Sequence, residues 1–250
     1  MTTILIVESN PIGFQPAAPD FTSVLQDIDR SVDIRIVAPY DAPFTDADLQ
    51  GTDGAIFTGS AVVWGVDAPE AAPLRAVMER VFAAHIPSYG SCNGMQMAAY
   101  VLGGASQPSP NGREDGLARD IRLTEAGQTH PFLTGRRSVY AVPCIHLHEV
   151  TRLPDRAVLL AGNAHSPVQA FAYDDGATRF WGVQYHPEVT PHAMANVLEA
   201  IGGYPQSLCD DLRLAGTDAG AARRLGVAPG DLQPDQRVTE IRNWFNSLSA

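Results

Sequence analysis

The sequence predicts an α/β sandwich, with a mainly parallel central sheet covered by helices on both faces and a small antiparallel extension. Three observations predict it. Short apolar runs alternate with helical stretches through the first half of the chain, the pattern of strand-helix-strand units. A Gly-x-Cys-x-Gly turn at Gly90 to Gly94 joins one such run directly to a helix-forming stretch. In the second half, apolar runs follow one another closely, which reads as antiparallel pairing.

Thr3 to Val7 reads as a first buried strand, followed by strands at Val32 to Ala38 and Gly54 to Thr58. Glu70 to His85 reads as a helix, because Leu74, Val77, Met78, Val81 and Phe82 form one apolar stripe. Ile86 to Tyr89 is the next strand and Asn93 to Leu102 the next helix. Gln107 to Gly116 is rich in Pro, Asn and Gly and reads as a loop. Beyond it, Leu117 to Leu123, Ser138 to Val142, Ala157 to Ala161, Val168 to Tyr173 and Thr178 to Gln184 read as strands. A helix over His192 to Ile201 ends at Gly202-Gly203 and Pro205. The tail carries two helical patterns separated by Val227-Ala228-Pro229-Gly230. In the last, Val238, Ile241, Trp244, Phe245 and Leu248 share one face. That face either docks on its own domain or, through Trp244 and Phe245, offers a surface to a second copy of the chain or another partner.

Composition bounds the function. The chain has 250 residues, 45% of them apolar, and can bury a full core. A net charge of −11 argues against a nucleic-acid or anionic-membrane surface. No apolar run is long enough to span a bilayer, and the N-terminus lacks the features of a signal peptide. A cytoplasmic protein is the expectation. All 17 Lys/Arg residues are arginine, which excludes a lysine Schiff base or a P-loop lysine. Three cysteines, Cys92, Cys144 and Cys209, make no closed disulfide set and no zinc-ligand spacing. His146, His148 and Glu149 lack a further cluster to complete a metal site. No metal or cofactor is expected.

The turn around Cys92 names a reacting atom. Glycines on either side let the backbone turn tightly, and the helix that follows aims unpaired N–H groups at the sulfur. Both favour the thiolate. A cysteine nucleophile needs a base, and the base an orienting group. The run Phe180-Trp181-Gly182-Val183-Gln184-Tyr185-His186-Pro187-Glu188 supplies both. In extended backbone, positions i and i+2 point the same way. One imidazole nitrogen of His186 then faces Cys92 while Glu188 holds the other. Two backbone N–H groups are candidates for an oxyanion hole: Asn93, and Gly59 in the turn after Ala55-Ile56-Phe57-Thr58.

These residues resemble class I (triad-type) glutamine amidotransferase domains. The resemblance rests on Gly90-Ser91-Cys92-Asn93-Gly94-Met95-Gln96, on Gly182-Val183-Gln184-Tyr185-His186-Pro187-Glu188 and on Thr58-Gly59-Ser60. Softer matches are Leu102-Gly103-Gly104, Glu114-Asp115-Gly116 and His146-Leu147-His148-Glu149-Val150. It covers about Thr3 to Gly203, which sets residues 1–204 as the amidotransferase-like domain and 205–250 as a helical C-terminal extension. The resemblance implies a flavodoxin-like three-layer sandwich in which Cys92 is nucleophile, His186 general base and acid, and Glu188 orienter. Gln96 matches a position that helps bind glutamine; Ser60, Tyr185 and His146 complete the expected substrate-binding set. Three departures bear on that pocket. Ser60-Ala61 stands where many members have Gly-Pro, Ser91 and Asn93 flank the cysteine in place of bulkier apolar residues, and His148 replaces an Asp.

The implied reaction is hydrolysis of the glutamine side-chain amide through a glutamyl thioester, releasing ammonia for a synthetase or ligase on a separate chain. The alternative is a free-standing hydrolase or acyltransferase acting on a γ-glutamyl or related amide. A third option is a non-catalytic regulatory protein on the same scaffold.

Overall fold

The computed structural model describes residues 1–249. The first half runs β1 (Thr3–Val7), α1 (Ala18–Ile28), β2 (Asp33–Val37), β3 (Gly54–Phe57), α2 (Ala72–Ala83), β4 (Ser88–Ser91) and α3 (Asn93–Val101). The second half runs β5 (Ala105–Pro108), β6 (Glu114–Leu123), α4 (Glu125–Thr129), β7 (Val139–His146), β8 (His148–Arg152), β9 (Val158–Gly162), β10 (Ala170–Asp174) and β11 (Arg179–Val183). Five helices follow: α5 (Pro191–Ile201), α6 (Gln206–Leu214), α7 (Ala219–Arg224), α8 (Pro234–Arg237) and α9 (Thr239–Asn246).

A nine-stranded sheet has the order β2-β1-β3-β4-β11-β10-β9-β6-β7. The strands from β2 to β11 in that order run parallel, and β10, β9, β6 and β7 continue antiparallel. β5 and β8 form a separate antiparallel pair. The sheet is therefore the expected mainly parallel one with an antiparallel extension.

Side-chain alternation builds the layers. Ile4 and Ile6 of β1 point to one face, where Phe21 and Leu25 of α1 and Ile241 and Trp244 of α9 cover them. Leu5 and Val7 point to the other, under Leu74, Met78 and Val81 of α2 and Met95 and Ala98 of α3. A third cluster packs α5, α6 and α7 on Leu117 and Ala141 of the antiparallel strands.

Several elements differ from the sequence expectation. α1 is an element that the sequence analysis did not assign. Its Pro19 sits in the first turn, where a missing N–H costs nothing. Glu8 at the end of β1 caps this helix, with its Oε2 accepting from the Ala17 and Ala18 N–H groups at 2.7 and 2.8 Å. Residues 107–116 are only partly a loop: β5 ends at Pro108 and β6 begins at Glu114, where pairing with His146 of β7 overrides local turn composition. In the tail, Asp218 caps α7 by accepting from the Gly220 N–H and so splits what reads as one helical pattern. Trp244 and Phe245 are buried within the chain. This is the docked arrangement of the two alternatives, with their apolar area packed into the core beside α1.

Candidate active site

β4 and β11 lie side by side in parallel, with Val183 opposite Ser91. The chain therefore leaves the sheet at one edge in both places, immediately before Cys92 and three residues before His186. This is the carboxyl edge of the parallel strands, where open α/β sheets build their sites. Cys92 itself has φ +48° and ψ −105°, a conformation that L-residues rarely adopt. Its N–H donates to the Val183 carbonyl at 2.8 Å, and its carbonyl accepts from the Gln96 N–H at 3.0 Å. Sheet and helix thus hold both sides of the strained residue. The two flanking glycines permit this packing. A methyl group on Gly94 would stand 2.2 Å from the Phe57 carbonyl oxygen, and one on Gly90 would stand 2.6 Å from the Gly94 carbonyl carbon.

His186 is fixed by its backbone, whose N–H donates to the Pro143 carbonyl at 2.8 Å. Its Nδ1 lies 2.7 Å from Glu188 Oε1. Its Nε2 has no hydrogen-bond partner among the described residues, and the Cys92 side chain stands beside the ring. The Ser91 hydroxyl lies 3.0 Å from Glu188 Oε2 and 2.9 Å from the Tyr185 carbonyl. Burial disfavours the charged imidazole. The Glu188 carboxylate, and then Cys92, outweigh that burial and hold His186 well above the ordinary histidine range. Gly59 closes the group: a methyl there would stand 2.6 Å from His186 Cε1 and 3.7 Å from Cys92 Cβ. The structure therefore brings together Cys92, His186, Glu188, Gly59 and the start of α3 at Asn93.

The substrate-side expectations fare differently. Tyr185, expected on the substrate side, has its side chain in the core, where its hydroxyl meets Tyr140 and Glu240 at 2.8 Å each. The His146 ring has both nitrogens engaged within the protein. Nε2 pairs with Glu114 Oε2 and Nδ1 with the His148 carbonyl, each at 3.0 Å. The Ser60 hydroxyl is likewise committed, lying 2.9 Å from the Ser9 carbonyl and 3.0 Å from Asn10 Oδ1, which locks the turn rather than offering a free hydroxyl. Gln96 donates its Nε2 to the His148 carbonyl at 2.7 Å, which leaves Oε1 as the part outside that bond.

Sequence reasoning noted Ser91 only as a departure, and its contact with Glu188 depends on pairing between β4 and β11. Glu114 lies at the centre of a further buried network. Burial pushes its carboxyl up, but bonds from His146, Asn163 and Gln169 prevail and hold it below the usual range. The ligand atoms of Glu114, Cys144 and His146 fall within 4.8 Å of one another. They already satisfy each other and their neighbours, so a metal there would have to displace these bonds.

The family model for class-I glutamine amidotransferases matches residues 23–200. The chain belongs to that family. A γ-glutamyl-L-1-hydroxyisopropylamide hydrolase from a Pseudomonas species is 35% identical over 195 residues, which make up 75% of this chain and 64% of the hydrolase. A glutamine-hydrolysing GMP synthase from Symbiobacterium thermophilum is 36% identical over 152 residues, covering 60% of this chain and 27% of the synthase. The chain thus spans less than two thirds of the length of either relative. A solved glutamine amidotransferase from Thermotoga maritima superposes with a TM-score of 0.69 at 18% identity, over 99% of this chain and 97% of that one. That likeness shows the amidotransferase fold and reaches through the helices after residue 204. No helix among the described residues is long and apolar enough to cross a membrane.

Proposed function

We propose that this family member hydrolyses a γ-glutamyl amide bond through a glutamyl thioester on Cys92. The observation that carries the reading is the meeting of Cys92 with the His186–Glu188 pair and Gly59 at one sheet edge. The Pseudomonas relative, named for hydrolysis of a γ-glutamyl amide, supports the substrate class.

The chemistry follows from the positions. Cys92 gives its proton to His186, and the sulfur attacks the amide carbonyl carbon. The oxygen takes the negative charge and is held by the backbone N–H groups at Asn93 and Gly59, fixed donors in a water-poor site. As the intermediate collapses, the carbon–nitrogen bond breaks and the imidazolium of His186 protonates the departing amine. Water then attacks the thioester. His186 takes a proton from that water, the carbon–sulfur bond breaks, and the same proton returns to the sulfur. Glu188 holds the ring in place and stabilises its charged form throughout.

A second reading is favoured by the GMP synthase relatives: the amide is that of glutamine, and the ammonia serves a synthetase on a separate chain. Assays of glutamine and a series of γ-glutamyl alkylamides, without any partner, separate the two. The first reading expects alkylamide turnover to exceed glutamine turnover and to vanish in Cys92→Ala. Turnover confined to glutamine would favour the second. Absence of turnover on every amide, together with no labelling of Cys92 by a glutamine-mimicking electrophile, would sink both.

A further inference from the structure

The region beyond the family match contributes a buried arginine directly behind the His186-Pro187-Glu188 segment. Arg237, the last residue of α8, is 6% exposed, and its Nη1 donates to the Pro187 carbonyl. Burial works against its charge, and the largest compensation comes from the Glu188 carboxylate, followed by that of Asp20 on α1. A guanidinium taken out of water is retained only where such partners hold it. Its backbone is held as well. Arg136, in the turn before β7, donates its Nη2 to the Arg237 carbonyl at 2.9 Å. The same Arg136 makes a two-pronged ion pair with Glu240 of α9, with both bonds at 2.6 Å. Glu240 in turn accepts from Tyr185, the residue before His186, at 2.8 Å. The segment bearing His186 and Glu188 is therefore gripped at two carbonyl or hydroxyl points, on Tyr185 and Pro187, by side chains from the C-terminal helices.

We propose that Arg237 is a positioning residue for the His186–Glu188 pair, so that the C-terminal helices complete the active site rather than only cover the sheet. The proposal rests on the roles given above to Cys92, His186 and Glu188. Pro187 limits the local backbone, and a bond to its carbonyl fixes the remaining freedom between the two functional side chains. The guanidinium also has the Glu188 carboxylate as its leading charge partner, which ties it to the residue that holds His186 Nδ1. Groups of this kind, one contact removed from the chemistry, change activity by about 10- to 100-fold in metal sites when removed.

The test compares Arg237→Met, which keeps the apolar stem and removes the guanidinium, with Arg237→Lys, and with Ile241→Val as a variant that loosens the same tail. Arg237→Met is expected to lower kcat per folded molecule about tenfold, to leave KM unchanged, and to be partly rescued by Arg237→Lys. Ile241→Val is expected to lower the unfolding midpoint while leaving kcat unchanged. An unchanged kcat in Arg237→Met, or an equal loss in Ile241→Val, would overturn the proposal. A second readout is independent of substrate: the rate at which iodoacetamide alkylates Cys92, followed by peptide mass. Slower alkylation in Arg237→Met, even if no amide is turned over, upholds the positioning role while the functional reading fails. Unchanged alkylation together with unchanged kcat rejects it.

Discussion

At the scale of single residues, the site depends on one proton. His186 is surrounded by groups that favour its charged form: Glu188 at 2.7 Å and the side chain of Cys92. Because its pKa is raised on folding, the folded chain binds this proton more tightly than the unfolded one. The resulting stability is fully present below the ordinary histidine value of about 6.5 and is lost as pH rises through the raised folded value. The difference in unfolding midpoint between the wild-type chain and His186→Gln should therefore shrink steadily from about pH 6.5 upward. A difference that grows with pH would show that His186 is buried neutral. Residue types made this pair legible in the sequence, although the two side chains meet across a turn closed by the Val189 N–H on the His186 carbonyl, and not along an extended strand. They did not reveal Ser91 as a donor to Glu188. Nor did they show that Tyr185 bonds Glu240 and His146 bonds Glu114, because these contacts depend on partners roughly 30 to 100 residues away in the chain.

At the scale of elements, the turn between β4 and α3 is the part that the sequence specifies most fully. Gly90, Cys92 and Gly94 each have a distinct reason to be where they are, and the structure adds the reason for the last. The N-terminus of α3 rests on the Phe57 carbonyl of β3 with no room for a side chain. Gly94→Ala should therefore displace α3 or β3 and cost about 1–3 kcal/mol or more, measured as a lower denaturation midpoint. Activity should fall with it, because Cys92 sits between β4 and the displaced start of α3. Unchanged stability would mean that the contact relaxes freely. Elements were legible where apolar periodicity was long or strands were wholly apolar, as in α2, α3 and β1. They were less legible where the punctuation misleads. α1 begins with a proline that ends helices elsewhere but suits a first turn. β6 begins inside a stretch of turn-forming residues, because β7 is there to pair with it.

At the scale of the whole molecule, the parallel order β1-β3-β4-β11 turns residues far apart in sequence into neighbours at one edge. Gly59, Cys92 and His186 each follow one of these strands, so the topology itself assembles the group. The amphipathic face of α9 was visible in the sequence, but its destination was not. It covers Ile4, Ile6 and Tyr89 beside α1 and carries the Glu240 that reaches back to Tyr185. The central claim is that this assembly forms a covalent glutamyl thioester. It is tested most directly by mixing the purified chain with a γ-glutamyl alkylamide, quenching in acid within the first turnover and weighing the Cys92 peptide. The peptide is expected to gain one glutamyl group, and the adduct to decay as glutamate appears and to be absent in Cys92→Ala. Glutamate released by the wild-type chain with no adduct on Cys92, or released equally by Cys92→Ala, would contradict it.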